Sequence, residues 1–383
     1  MIKVLTIVGA RPQLIKAAAI SRAIRNIFQN DIEEVMLHTG QHYDENMSSI
    51  FFDELSIPKP AVNLNVGSMS QGMQTAKMLE GIEWALLNHK PNVLLIYGDT
   101  NSTVAGALAA IKLHIPIVHI EAGLRSFNKS MPEEVNRIAA DHMSTLLFSP
   151  SDSGLVNLKK EGFNIQSTAP FSPDNPGIYK CGDIMYDNSM YFSALAEGKA
   201  QIKEDKKLKE NDYILATVHR PSNTDNPEKL EQIFEAFLHL ADQGNIILMP
   251  LHPRTVSAMK RNLSTKLNKR IKESDNIELL PPASFLEIID LEKDAKLLIT
   301  DSGGMQKEAF FFKKPCIVLR NETEWIELVH NGNAILTGPN SKNILEAYKT
   351  FQETESFTYP NFYGDGKAAE FICSEIIQQL DVS

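Results

Sequence analysis

Short, continuous apolar runs separated by segments of helical period constrain the fold of this chain more than any other feature. The first series of runs lies at residues 4–8, 33–37, 93–97, 115–120 and 145–148, and a second series lies at 213–218, 245–250, 277–280, 296–300 and 315–319. Continuous apolar strands are buried on both faces, as in a parallel sheet that is covered by helices on each side. The sequence therefore predicts two doubly wound α/β units in tandem.

The length of the chain agrees with two units, because 383 residues exceed the roughly 250–300 residues at which a single core stops growing. A proline-rich stretch at 166–177 predicts a loop just before the last strand of the first unit. The polar stretch at 197–211 mixes lysine with glutamate, which favours a solvated connector between the domains over a basic partner-binding surface.

Charge and composition exclude several classes of function. Lys and Arg number 38 against 48 Asp and Glu, a net charge of −10, which argues against nucleic acid or an anionic membrane as the main partner. No apolar run approaches the roughly 18 residues of a membrane span, and the first run leads into Gly9 and Arg11 without a cleavage-like site. The 3 cysteines are widely spaced and form no metal or redox pattern. We expect buried thiols in a reducing cytoplasm.

Polar segments follow the predicted strands where ligands bind in an open parallel sheet, beyond the carboxyl ends of the strands. These segments are GARPQ with Lys16 (9–16), YGDTNST (97–103), HIEAGLR (119–125), MPEEVNR (131–137), TVHR (217–220) and DSGGMQKE (301–308). Each has a structural interpretation as well, in which Asp99 is a helix N-cap and Glu133 complements a helix dipole. Glu121 is harder to explain in this way, because a carboxylate at the end of a buried strand is costly unless it is exposed or paired.

The last of these segments favours a phosphate ligand. Ser302, Gly303 and Gly304 present backbone amides at a helix start, which suits a diphosphate, and Glu308 lies one turn further on, where it can accept hydrogen bonds from two ribose hydroxyls. The segment is neither a Walker loop nor a GxGxxG loop, so a nucleoside diphosphate is a better expectation than ATP or NAD.

Together the segments predict a cleft with three carboxylates from the first domain, Asp99, Glu121 and Glu133, and with His219 and the phosphate loop from the second. Several carboxylates beside a diphosphate suit proton transfer at carbon with loss of a phosphate leaving group.

With these motifs the sequence resembles the non-hydrolysing UDP-N-acetylglucosamine 2-epimerase family over essentially the whole chain. The matching segments are GARPQLIK (9–16), TGQHYDENM (39–47), YGDTNSTVAG (97–106), HIEAGLRS (119–126), MPEEVNR (131–137), TVHR (217–220), ITDSGGMQKEA (299–309) and YGDGKA (363–368). The resemblance implies an α/β fold of two Rossmann-like domains in a glycosyltransferase-B-like architecture, with the active site in the interdomain cleft. It implies an N-terminal domain at 1–185 that holds the carboxylates, a UDP-binding domain at 186–365 and a final helix, 366–383, that crosses back onto the first domain.

The resemblance also implies a mechanism and a set of site residues. A base removes the C2 proton of the sugar, UDP leaves C1 by elimination, and UDP adds back after protonation on the opposite face of C2, with no metal or cofactor. The implied catalytic residues are Asp99, Glu121, Glu133, His219 and Lys16, and the implied UDP-binding residues are Arg11, Arg137, Arg220, Ser302, Gly303, Gly304 and Glu308. The expected partners are a UDP-sugar and a second copy of the chain in a homodimer, with neither nucleic acid nor membrane insertion.

Several positions depart from the family pattern. Gln13 stands where glutamate is usual, Trp325 replaces an arginine thought to help bind UDP, and Ser70-Gln71 replaces an Arg-Gln pair that many bacterial members use for allosteric UDP-GlcNAc. Four short segments resemble the branch of the family that acts on UDP-2,3-diacetamido-2,3-dideoxyglucuronate in surface polysaccharide synthesis. They are GARPQ, the segments SFN and MPEE around a short loop, and TEW. The resemblance therefore implies either that sugar or UDP-GlcNAc as the substrate.

Three other functions compete with this one. A UDP-dependent glycosyltransferase shares the fold but has no need for three carboxylates around C2. A hydrolysing UDP-sugar 2-epimerase would release free sugar instead of a UDP-linked product. A non-catalytic nucleotide-sugar sensor is disfavoured because the carboxylates and His219 are all retained.

Overall fold

The computed structural model describes residues 1–41 and 57–380 of the chain. Residues 42–47 of the segment TGQHYDENM lie outside this described part. The chain divides into two compact units, the first comprising Met1–Asn188 with Asn361–Ser383 and the second comprising Ser189–Pro360. Among the described residues, no helix is both long enough and apolar enough to cross a membrane.

The first unit is built on a parallel sheet with the strand order β3-β2-β1-β4-β5-β6-β7. Its strands are β1 (Ile2–Val8), β2 (Ile32–His38), β3 (Val62–Asn63), β4 (Val93–Tyr97), β5 (Ile117–Ile120), β6 (Leu146–Ser149) and β7 (Gly177–Lys180). Every residue of the central strands β4, β5 and β6 is buried, as continuous apolar runs predict. The order changes direction between β1 and β4, which places the adjacent strand ends at a switch point where ligands bind.

Helices cover the sheet of the first unit and connect its strands. They are α1 (Arg11–Asn26), α2 (Gln71–His89), α3 (Asn101–Lys112), α4 (Pro132–Met143), α5 (Asp152–Lys160) and α6 (Ile184–Leu195), whose last residues belong to the second unit. Helices α1, α3 and α4 each begin directly after a strand end or its loop, so their first turns lie at the edge of the sheet that carries the polar segments.

The second unit repeats the arrangement with a parallel sheet in the order β10-β9-β8-β11-β12-β13. Its strands are β8 (Tyr213–Thr217), β9 (Ile246–Pro250), β10 (Ile277–Leu280), β11 (Leu297–Thr300), β12 (Cys316–Val318) and β13 (Ala334–Leu336). Its helices are α7 (Gln201–Asp205), α8 (Pro221–Thr224), α9 (Pro227–Asp242), α10 (Pro253–Asn262), α11 (Thr265–Glu273), α12 (Phe285–Asp294), α13 (Gly303–Phe311), α14 (Ile326–His330) and α15 (Ser341–Glu353). The prediction of two parallel α/β units is confirmed.

The interpretation of residues 197–211 as a connector between the domains is wrong, although most of the stretch is exposed to solvent. This stretch belongs to the second unit and contains α7. Lys203 of α7 donates to Asp290 at 2.7 Å and also pairs with Asp294. A mixed-charge sequence does not reveal that one of its lysines has two acidic partners almost ninety residues away.

The last helix, α16 (Ala368–Leu380), belongs to the first unit and packs on α1. Its first two amides donate to the carboxylate of Asp187 in α6, from Ala368 at 3.1 Å and from Ala369 at 2.8 Å. The next residue, Asn188, donates to the carbonyl of Ile15 in α1. These contacts anchor α16 to the helix that carries Lys16.

Candidate active site

Two carboxylates lie side by side at the ends of the neighbouring strands β4 and β5. Gly98 follows β4 with a φ of 58°, in the left-handed region that favours glycine. A Cβ at Gly98 would lie 3.1 Å from Glu121 Oε2 and 3.4 Å from Lys16 Nζ, so the absence of a side chain leaves room for both groups. The turn then presents Asp99. Its interpretation as the helix N-cap is wrong, because Thr100 is the N-cap of α3 and accepts from the amide of Thr103.

Glu121 combines a strained backbone with a buried ion pair. Its φ is 73°, a conformation that is uncommon for residues other than glycine and that costs about 1–3 kcal/mol. Its carboxylate pairs with the ammonium group of Lys16 in the first half of α1, and both side chains are nearly buried. The pairing explains how a carboxylate is tolerated at the end of a buried strand.

Asp99 is paired with the guanidinium group of Arg137 on α4. Burial raises the pKa of Asp99; the charge of Arg137 lowers it and the charge of Glu121 raises it further, and the pKa stays above its usual value. Asn136 holds the backbone of the same turn by donating to the carbonyl of Asp99 at 3.0 Å. A carboxyl group with a raised pKa beside a second carboxylate is suited to proton transfer.

A fully buried network connects the two turns that carry these carboxylates. The imidazole of His119 lies 2.8 Å from both Asp141 Oδ1 and the carbonyl oxygen of Gly98. Asp141 also accepts from the amide of Gly123 at 3.2 Å and pairs with Arg125 at 2.7 Å. Burial alone would raise the pKa of Asp141, but the hydrogen bond and charge of His119, together with Arg125, lower it. The network fixes the β4 turn against the β5 turn.

The adjacent residues Glu133 and Glu134 occupy different environments in the first turn of α4. Glu134 is buried and accepts hydrogen bonds from the amides of Ser126 and Phe127, both at 2.9 Å. It also lies 3.3 Å from Arg137. Glu133 is exposed to solvent. Glu134 therefore holds the loop between β5 and α4, while Glu133 is available to a ligand.

The turn after β1 carries Arg11, which is exposed as the first residue of α1, and Gln13, which is buried. The Gln13 carbonyl accepts from the amide of Gly9 at 2.9 Å, and its amide group donates to the carbonyl of Tyr97 at 3.0 Å and to Thr103 at 3.1 Å. An ionised glutamate at this position has no hydrogen to donate to Tyr97. The departure from the family pattern at Gln13 is thus structurally accommodated.

In the second unit, His219 and Arg220 follow β8 and are held by Asp301, the buried residue after β11. Asp301 accepts from the backbone amides of His219 and Arg220, both at 3.0 Å, and from the side chain of Asn223 at 3.0 Å. The His219 ring lies 3.2 Å from the same carboxylate and its side chain is 40% exposed. The imidazole is therefore oriented on one side and open to solvent on the other.

The predicted phosphate loop forms the N-terminus of α13. Ser302 is its N-cap, and Gly303 and Gly304 are its first residues. A Cβ on Gly303 would lie 3.7 Å from a guanidinium nitrogen of Arg320 and 3.8 Å from one of Arg220. Two arginines thus flank a helix N-terminus, an arrangement that suits a diphosphate.

Trp325 stands where the family usually has an arginine. It carries no positive charge, but it holds the phosphate loop in place. Its indole donates to the carbonyl of Gly303 at 3.0 Å, and the ammonium group of Lys307 lies 4.0 Å from the centre of its ring. The neighbouring Glu324 holds Arg320 through two hydrogen bonds of 3.0 Å. Burial alone would raise the pKa of Glu324, but the hydrogen bonds and charge of Arg320 lower it.

The structure brings the predicted residues together in two groups, one in each unit. Lys16, Asp99, Glu121 and Arg137 form the first group, and Glu133 lies one turn before Arg137 on α4. The second group contains His219, Arg220, Ser302, Gly303, Gly304 and Glu308. The sequence analysis did not identify Asp141 and Arg320 as site residues. Asp141 could have been found as a carboxylate on the inner face of α4, and Arg320 as a guanidinium group two residues after β12. Within residues 1–41 and 57–380, no group of three or more His, Cys, Asp or Glu residues is placed to hold a metal ion.

Comparisons with known proteins show what this chain is similar to. The family model described as UDP-N-acetylglucosamine 2-epimerase matches residues 25–377. The chain is 48% identical to a UDP-N-acetylglucosamine 2-epimerase homologue of Methanococcus maripaludis, over 99% of this chain and 100% of the relative. It is 44% identical to the UDP-2,3-diacetamido-2,3-dideoxy-D-glucuronate 2-epimerase of Pseudomonas aeruginosa, over 97% of this chain and 98% of the relative.

A solved structure also resembles the whole chain. The UDP-GlcNAc 2-epimerase of Methanocaldococcus jannaschii, in complex with UDP-GlcNAc and UDP, superimposes with a TM-score of 0.84 at 38% identity, covering 98% of this chain and 99% of that one. The expected glycosyltransferase-B-like fold class is confirmed.

Proposed function

Because the chain belongs to the UDP-N-acetylglucosamine 2-epimerase family, we infer that it is an isomerase that inverts C2 of a UDP-linked 2-acetamido sugar. The observation that carries this inference is the pair of carboxylates at adjacent strand ends, Asp99 and Glu121, each with its own cationic partner. Inversion at carbon needs an acid and a base on opposite faces of the sugar, and a single carboxylate cannot serve both.

The proposed reaction proceeds by elimination and re-addition. One carboxylate takes the C2 proton, the electron pair of the C2–H bond forms the C1–C2 double bond, and the C1–O bond breaks with its electrons going to the departing UDP. A second carboxyl group then protonates C2 on the opposite face, and the UDP oxygen re-forms its bond to C1. Asp99, Glu121 and Glu133 are the proposed acid and base groups. Lys16 forms an ion pair with Glu121, and Arg137 forms one with Asp99. Each cation favours the ionised form of its partner.

The proposed nucleotide site is the N-terminus of α13. The backbone amides of Gly303 and Gly304 meet the diphosphate, Arg220 and Arg320 neutralise its charge, and Glu308 accepts hydrogen bonds from the ribose. His219 lies beside this site with one face exposed, which suits contact with the β-phosphate.

The exact sugar, the cellular setting and the assembly belong to the same proposal. The 44% identity to a UDP-2,3-diacetamido-2,3-dideoxy-D-glucuronate 2-epimerase supports that sugar as substrate, beside UDP-GlcNAc, for the synthesis of surface polysaccharide precursors in the cytoplasm. A homodimer is supported by α2, on which Met73, Trp84 and Leu87 share one face and are all more than half exposed.

Epimerisation in deuterium oxide tests the function. Incubation with each of the two UDP-sugars is expected to give a UDP-linked manno epimer that carries solvent deuterium at C2, read by NMR. Asp99→Asn is expected to lower kcat by at least about 10²-fold. A product without deuterium at C2 would contradict elimination, and free sugar as the only product would indicate the hydrolysing alternative.

A further inference from the structure

A fully buried glutamate lies behind the proposed ribose contact. Glu292 is on α12, has an exposure of 0%, and both of its carboxyl oxygens are buried with no N–H or hydroxyl donor facing them in the described part of the chain. The side chain of Glu308 on the adjacent helix α13 lies within hydrogen-bonding distance of this carboxyl group. Two carboxyl groups can share a hydrogen bond only if one of them is protonated.

The position of Glu308 connects this pair to the nucleotide site. Glu308 is half-buried, and its Oε2 lies 3.8 Å from the place where a Cβ on Gly304 would be. The carboxyl group therefore reaches the first turn of α13, where we place the diphosphate. One side of Glu308 meets Glu292, and the other faces the loop.

We propose that Glu292 is a positioning residue for nucleotide binding, which remains protonated and donates its hydrogen to Glu308, holding the Glu308 carboxylate towards the two ribose hydroxyls. This inference rests on the proposed nucleotide site at α13. The geometry favours Glu292 as the proton carrier, because an ionised Glu292 would be buried without a donor, whereas Glu308 can accept from the ribose.

The surroundings of Glu292 keep it neutral. The titratable groups that interact with it are Glu308 on α13, Tyr213 on β8 and Cys316 on β12, and Asp290 and Asp294 on its own helix interact with the same tyrosine. All of them are acids. The Tyr213 hydroxyl donates to a backbone carbonyl, and Lys203 is bound to the two aspartates. Burial raises the pKa of Glu292 well above its ordinary value, and the charge of Glu308 raises it further.

The proposal predicts how UDP binding depends on pH. Once the shared proton is lost, two neighbouring carboxylates repel each other and Glu308 no longer faces the ribose. Calorimetric titration of the full chain with UDP at increasing pH is therefore expected to show weaker binding once the shared proton is lost. Glu292→Gln keeps a hydrogen-bond donor that does not titrate, so we expect wild-type affinity at pH 7 and a flat profile. Glu292→Met, of similar volume but without a donor, is expected to bind UDP about tenfold more weakly.

Two controls separate positioning from a structural effect. UDP that lacks both ribose hydroxyls should bind wild type, Glu292→Gln and Glu292→Met with equal affinity, because Glu308 has nothing to accept from in this ligand. Infrared spectra at pH 7 should show the carbonyl band of a protonated carboxyl group in the wild type that disappears in Glu292→Gln.

The absence of this infrared difference, or a wild-type pH profile in Glu292→Gln, would overturn the proposal. Equal losses with both ligands in Glu292→Met would do the same. If the wild type bound no UDP, the proposed function would fail, and the infrared difference would still decide whether Glu292 holds the proton.

Discussion

The carboxylate of Asp187 offers a prediction about the stability of α16 and its dependence on pH. Asp187 is buried, with 7% exposure, and accepts from the first two amides of α16. Burial raises the pKa of Asp187, the two amide hydrogen bonds lower it, and the charge of Asp183 raises it again. The resulting pKa is about 6 instead of 3.8. Replacement by asparagine keeps one oxygen as an acceptor and removes the titration.

The sign and size of the effect follow from proton linkage. Since the pKa in the folded state is higher than in the unfolded state, the folded state binds more protons between pH 3.8 and about 6. Stability from this group is therefore fully present below pH 3.8 and is lost as the pH rises to about 6. The difference corresponds to about 3 kcal/mol, or about 10²-fold in an equilibrium constant.

Amide hydrogen exchange of α16 measures this effect, because it reports the opening of one helix in a chain of two units. After correction for the intrinsic exchange rate, the protection of α16 in the wild type relative to Asp187→Asn is expected to fall by up to about 10²-fold between pH 4 and 7. The exposed Asp174 provides a control, since Asp174→Asn should leave the ratio unchanged. A ratio for Asp187→Asn that stays level or grows with pH would refute the reasoning.

Two further predictions concern the first unit. Asp141→Asn is expected to lower kcat at least about tenfold with little change in KM, because the buried carboxylate that orients His119 and Arg125 is lost; steady-state kinetics showing normal kcat would contradict this. Glu133→Gln is expected to lower kcat by at least about 10²-fold at an unchanged melting temperature, whereas Glu134→Gln should destabilise the protein by about 1–3 kcal/mol. Kinetics and thermal unfolding of both variants measure these effects, and normal turnover in Glu133→Gln would withdraw its catalytic role.

The strands could be predicted from the sequence because their burial leaves a local signal. The predicted run at 93–97 coincides with β4, since a strand that is buried on both faces has no polar position to blur its limits. The run at 277–280 coincides with β10, although this edge strand is only partly buried and contains Glu278. Strands β3 and β13 were missed, because they are short strands of two and three residues at the edges of their sheets. The site positions followed from the strands, since parallel strands bring their carboxyl ends to one edge.

Side-chain partners could not be predicted in the same way, because they depend on contacts between distant parts of the chain. Asp99 and Glu121 were identified by their places after β4 and β5, but nothing in the sequence pairs Glu121 with Lys16 across 105 residues. Trp325 was interpreted as the loss of a cation, whereas Arg320, already present in the chain, lies beside Gly303. The number of positive charges at a site depends on which side chains reach it, and a motif records only those within it.

Adjacent residues with the same chemistry illustrate this limit most clearly. Glu133 and Glu134 are equally good first-turn residues of a helix, and both complement its dipole. The structure separates them through burial: one carboxylate binds two loop amides, while its neighbour is exposed. A helix turns by about 100° per residue, so two adjacent side chains point in different directions and can differ in burial, as Glu133 and Glu134 do. Two consecutive glutamates at a helix start can therefore have different roles. The buried carboxylate binds the loop amides, and the exposed one can contact the substrate.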